Sequence, residues 1–94
     1  MYIQEIIKNS ILDALESIFQ IKPNTIELQQ TKKEFEGDIT LVVFPLIKEL
    51  KSSPKEIAKK IGDYLVENRF VVSYNIVSGF LNLSIAPIHK FLSG

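Results

Sequence analysis

Two runs of strand-forming residues, Phe70 to Val77 and Phe80 to Ile85, are separated only by Ser78-Gly79. This spacing constrains the chain more than any other feature, because a two-residue link containing glycine closes a tight antiparallel hairpin. Side chains along a strand alternate between faces. In the second run Leu81, Leu83 and Ile85 make a continuous apolar row that must face a core. Phe80, Asn82 and Ser84 then point the other way.

The rest of the chain supplies what covers that row. Ile3, Ile6, Ile7, Ile11, Ala14, Leu15 and Ile18 recur at intervals of three and four, which predicts an amphipathic helix from about residue 2 to 20, ended before Pro23-Asn24. Thr25 to Thr31 reads as a short strand, with Ile26 and Leu28 facing in and Glu27 and Gln29 facing out. Residues 32–38 form a polar loop closing on Gly37-Asp38, with Asp38 the expected cap of a following helix. Ile39, Val42, Val43, Leu46, Ile47 and Leu50 fit helical spacing, so a helix is expected to run to Leu50. Pro45 interferes: either that helix kinks, or it begins late and Ile39 to Val43 is extended. Ser53-Pro54-Lys55-Glu56 combines a capping box with proline in the first turn, and Ile57, Ile61 and Leu65 continue as one apolar stripe to about Asn68. After Pro87, Ile88 to Leu92 reads as the start of a last helix. The implied fold class is α+β, a small, mostly antiparallel sheet with helices packed on one face.

At 94 residues the chain makes a single domain, residues 1–94, with ordinary globular composition, 46% hydrophobic and 23% charged. It has no cysteine, so no disulfide or thiolate metal site can reinforce a small core. Its apolar runs are too short to cross a bilayer, and Met1 to Glu5 lacks the basic start of a signal peptide. A soluble, cytoplasmic domain without membrane contact is the expectation. Catalytic machinery is not apparent. His89 is the single histidine, which excludes a two-histidine metal motif, and neither G-x-x-x-x-G-K-[ST] nor G-x-G-x-x-G occurs. Glu34, Glu36 and Asp38 alternate on a loop, but carboxylates alone on one loop are a poor cation site, and Asp38 reads better as a cap. No catalytic residue, metal ligand or cofactor site is expected within these residues.

Two features suit nucleic acid. Phe80 and Asn82 place an aromatic ring beside a carboxamide on the face away from the core. The ring can stack on an unpaired base while the amide bonds a base edge. Alternatively, Phe80 folds over the sheet edge or under the last helix, and Asn82 is simply solvated. The second feature is a basic run between residues 48 and 60, where Lys48, Lys51, Lys55, Lys59 and Lys60 outnumber Glu49 and Glu56 in a chain with 11 basic and 11 acidic residues. Such a run is commonly a solvated helix face, but Lys55 and Lys59, one turn apart, also suit phosphate contacts.

Three stretches carry a family resemblance. Phe35-Glu36-Gly37-Asp38, Ser53-Pro54-Lys55-Glu56-Ile57-Ala58 and Ser78-Gly79-Phe80-Leu81-Asn82-Leu83 resemble, in order, three motifs of the arginyl-tRNA synthetase N-terminal domain: F-G-D, N/S-P-x-E-I-A and G-[FY]-[LI]-N-[FL]. Here Glu36 stands as an extra residue between Phe35 and Gly37. The resemblance implies a tRNA-binding module preceding a class I catalytic domain, contacting the D-loop at the outer corner of tRNA-Arg. It implies that Phe80 and Asn82 address an exposed base. The ligase reaction of such a parent, with ATP and magnesium, belongs to that catalytic domain, since H-I-G-H and K-M-S-K signatures do not occur in this sequence. The competing expectation is an architectural or protein-interaction domain that braces a neighbour without binding RNA, which the neutral net charge favours.

Overall fold

A computed structural model describes residues 3–23, 26–68 and 70–86. The elements are α1 (Ile3–Phe19), β1 (Leu28–Gln30), β2 (Ile39–Val42), α2 (Phe44–Leu50), α3 (Pro54–Glu67), β3 (Val71–Val77) and β4 (Phe80–Ile85). The four strands form one sheet in the order β1-β2-β4-β3, and every neighbouring pair is antiparallel. The expected last helix at Ile88 to Leu92, and His89 within it, lie outside the described residues.

The hairpin forms where the sequence places it. Ser78 and Gly79 both take positive φ, 44° and 85°, the combination that matches the right-handed twist of the flanking strands. Leu81 and Leu83 are fully buried and Ile85 nearly so. They meet Ile57, Ile61 and Leu65 of α3 and Ile7, Ile11 and Leu15 of α1 in one core cluster. Helix α3 begins as read: Ser53 is its N-cap in extended geometry, and its Oγ accepts from the Glu56 amide at 3.3 Å. Helix and sheet approach closely at Gly62, where a Cβ would lie 2.7–2.8 Å from the Tyr74 ring. A side chain there would force the Tyr74 ring or α3 to shift.

One expectation is overturned. Ile39–Val42 is a strand, and the helix starts only at Phe44, with Pro45 in its first turn, where proline leaves no intrahelical bond unmade. Asp38 therefore caps no helix. Its Oδ2 accepts from the Ile85 amide at 2.9 Å, and its own amide donates to the Leu83 carbonyl at 2.7 Å. All four residues of β2 are buried. A strand covered on both faces lacks the clear alternation of a half-buried one, and periodicity alone does not separate a short run of that kind from a buried helix. The alternative of a late helix start is the one realised.

Tyr74 also makes a tertiary bond, its hydroxyl donating to Asp63 Oδ1 of α3 at 2.6 Å. That bond, then burial, then the carboxylate's charge push the phenol up from 10.0 to about 12. A raised pKa means that the fold favours the protonated phenol. The bond's contribution is complete below pH 10 and is lost as pH climbs to about 12. The stability margin of the native chain over Tyr74→Phe, measured by denaturant melts, should hold below pH 10 and shrink across that window. A margin that stays constant to pH 12 would show that the bond does not form.

Candidate nucleic-acid interface

Strand order sets the site. The cross-strand register aligns Gln29 with Thr40, Thr40 with Asn82, and Asn82 with Asn75, one residue from each of β1, β2, β4 and β3. The result is a transverse polar row on the face opposite the helices. Its centre is not solvated. Asn82 is only 1% exposed and Thr40 2%.

The row is wired in one direction. The Thr40 hydroxyl donates to Asn82 Oδ1 at 2.6 Å, and Asn82 Nδ2 donates to Asn75 Oδ1 at 2.9 Å. Asn75 Nδ2 donates in turn to the Glu36 carbonyl at 2.7 Å. A hydroxyl has one proton, so Thr31 must be the donor in its 2.8 Å bond to Thr40. These bonds fix the Asn82 carboxamide with its carbonyl towards β2 and its NH₂ towards β3. They engage one N–H and one lone pair of an amide that has two of each.

The loop between β1 and β2 covers this row. Gly37, at φ 144°, lies so close that a Cβ would sit 3.1 Å from Thr31 Oγ1 and 3.3 Å from both Asn82 Cβ and the Leu83 carbonyl. The expectation that Asn82 stands on an open face is thus corrected. Alternation placed it correctly on the side away from the helices, but the loop roofs that side. Glu34, Glu36 and Asp38 sit on this loop, and among the described residues no cluster of three carboxylates or histidines suited to a metal forms.

Phe80 precedes the row at the hairpin tip and is half-buried. Its ring meets Phe44 edge-on, with centroids 6.0 Å apart and planes at 89°. Beside it opens a hollow of about 240 Å³, lined by Phe80, Phe35 and Val77, by the buried Asn82 and Thr40, and by Gln29 and Lys32. Phe80 and Asn82 are therefore brought together in one concavity. Lys55 and Lys59 are not part of it. Both are exposed on α3, and Lys55 lines a different hollow beyond Phe44. Lys60 turns towards α1, with its ammonium 5.7 Å from the centre of the Phe19 ring.

Comparison with known proteins decides the family. The profile described as the arginyl tRNA synthetase N terminal domain matches residues 4–85. The chain belongs to that family. An arginine–tRNA ligase of Flavobacterium psychrophilum is 45% identical over 92% of the chain, and one of Phocaeicola vulgatus is 46% identical over 92%. The chain spans only 16% and 15% of the length of those two relatives. Among solved structures, Thermus thermophilus arginyl-tRNA synthetase superposes with a TM-score of 0.72 at 27% identity, covering 87% of this chain and 14% of that one. The three motif stretches of this N-terminal domain now have positions. Ser53 to Ala58 opens α3. The other two converge, since Glu36, Gly37 and Asp38 contact Asn75, Asn82, Leu83 and Ile85. The extra residue Glu36 contributes the carbonyl that ends the polar row.

Sequence reading missed Gln29, Lys32, Phe35, Thr40 and Asn75 as neighbours of Phe80 and Asn82. Phe35 stood in a recognised motif, but nothing local shows that the loop carrying it folds onto β4.

The polar row makes a stability prediction. Asn82→Ala should remove the acceptor of the buried Thr40 hydroxyl and the donor to the Asn75 side-chain carbonyl, and cost about 1–3 kcal/mol. A solvated amide would cost almost nothing, so a denaturant midpoint equal to the native one would contradict the network.

Proposed function

We propose that this domain holds an unpaired base of tRNA-Arg, at the D-loop on the outer corner of the molecule. The observation that carries the reading is one hollow lined by both Phe80 and Asn82. Single-stranded RNA is read by this combination, an aromatic face under the base and hydrogen bonds to its edge. Asn82 retains an N–H and a lone pair beyond its described bonds, enough for a base edge that carries one acceptor and one donor. Because Thr40 and Asn75 hold the amide still, little ordering remains to be done when the base arrives.

The relatives named arginine–tRNA ligase support a wider proposal. The domain acts within a longer cytoplasmic synthetase, where it docks tRNA-Arg for a catalytic domain of the same chain. That catalytic domain joins arginine to the tRNA using ATP with magnesium. The contribution made here is position. Affinity supplied far from the reacting atoms orients the other end of the tRNA without adding a chemical group.

Phe80→Ala tests the base reading. The half-buried ring leaves contacts with Phe44, so the variant should lose about 1–2 kcal/mol of stability. It should lose about 1–3 kcal/mol of tRNA-Arg affinity in a binding titration performed below its melting transition. Arginine activation by the longer enzyme should be unchanged. Normal affinity in a folded Phe80→Ala variant would return the domain to a bracing role.

The two exposed lysines predict a separable effect. Lys55→Ala with Lys59→Ala should weaken binding of any tRNA, specific or not. Each phosphate contact removed from a single strand should flatten the logarithmic salt dependence by about 0.7. An unchanged salt slope would make both lysines part of a solvated face.

A further inference from the structure

Phe44 is left unexplained by the base hollow. It opens α2 with half of its surface in solvent, 50% exposed, which is unusual for a phenylalanine beside a packed hairpin turn. The ring tip rests on that turn: a Cβ on Gly79 would come within 2.5 Å of Phe44 Cζ. The Val43 amide donates to the Gly79 carbonyl at 3.0 Å, so the start of α2 and the hairpin tip are tied together. Past Phe44 lies a second, more open hollow of about 550 Å³, bordered by Phe44, Ile76, Ser53, Lys55 and Ser78. Ser78 borders the first hollow as well, so the two meet across the hairpin tip.

We infer that Phe44 and Lys55 form a second nucleotide subsite, which takes the base next to the one held at Phe80. The inference rests on the Phe80 hollow being a base site. Rings at 89° face different directions, so each can stack on one base, and a single strand with successive bases splayed apart can use both. A strand leaving the first hollow crosses Ser78 and Gly79 and arrives at Phe44. The rim there is suited to its backbone. Lys55 is exposed and cationic. The Ser53 hydroxyl spends a lone pair on the Glu56 amide, which leaves its proton to donate to a phosphate or a 2′-hydroxyl. Continuity with the first hollow and this charge favour RNA over an apolar protein partner.

The test uses tRNA-Arg transcripts with one abasic nucleotide at each D-loop position in turn, titrated against the full-length synthetase as native protein, Phe80→Ala and Phe44→Leu. Leucine keeps an apolar contact with Gly79 and Phe80 but has no ring face, and a melt near the native one confirms that the variant folds. Two adjacent abasic positions should each weaken native binding about fivefold or more. One of these penalties should vanish in Phe80→Ala and the other in Phe44→Leu. If both variants cancel the same position, Phe44 only positions Phe80 and the inference fails. It fails too if Phe44→Leu cancels no position while Phe80→Ala cancels its own, a result that leaves the first base site standing. It also fails if Phe44→Leu alters self-association but not RNA affinity, which would give the hollow to a second copy. If neither variant cancels any position, the base reading falls and this inference falls with it.

Discussion

A carboxamide in the middle of a central strand, almost sealed from water, must have its polar atoms bonded or the strand is destabilised. Asn82 meets that demand by drawing on three other elements: Thr40 from β2, Asn75 from β3 and, through Asn75, the loop carbonyl of Glu36. Most of the face opposite the helices depends on this. The loop lies against the sheet, Gly37 takes its positive φ at the contact, and a hollow opens towards the hairpin tip. Removing the amide would loosen the loop as well as the strand.

The same arrangement separates two roles that share one strand. The side of β4 facing the helices is apolar and anchors the core through Leu81, Leu83 and Ile85. The other side carries Phe80 and Asn82, which do not belong to that core cluster. In a domain of 94 residues the core has little to spare, and a recognition surface built by thinning it would endanger folding. Placing the proposed recognition groups across the sheet avoids that conflict. The hairpin turn is the exception, because Gly79 supports the Phe44 ring and its carbonyl holds the Val43 amide, so the turn serves the fold and the proposed interface together.

Electrostatics follows the same division. Equal numbers of acidic and basic residues give the domain no long-range attraction for RNA. The exposed lysines on α3 and Lys32 beside the hollow provide local charge instead. In the proposed role, the module would contribute stacking and hydrogen bonds at one place, with neighbouring surfaces supplying the bulk of phosphate attraction.

Much of this was determined by the sequence alone. The hairpin, the apolar row of β4, the cap at Ser53 and the amphipathic α1 and α3 follow from rules with a range of a few residues: turn geometry, alternation, capping and helical period. The family followed from three short stretches, two of which encode such local devices, the cap at Ser53 and the hairpin at Ser78-Gly79. Ile39 to Val42 was not decidable in this way, because a run buried on both faces offers no period to distinguish strand from helix. Nor was the environment of Asn82. Alternation tells which way a side chain points and nothing about what lies there. The register of the two-residue hairpin sets Asn75 beside Asn82, but only the pairing of β2 with β4 brings Thr40 to its other side, and the 32–38 loop closes over it. The Thr40–Asn82 and Gly37–Asn82 contacts join residues forty-two and forty-five positions apart, and pairing at that range is settled by the packing of the whole sheet.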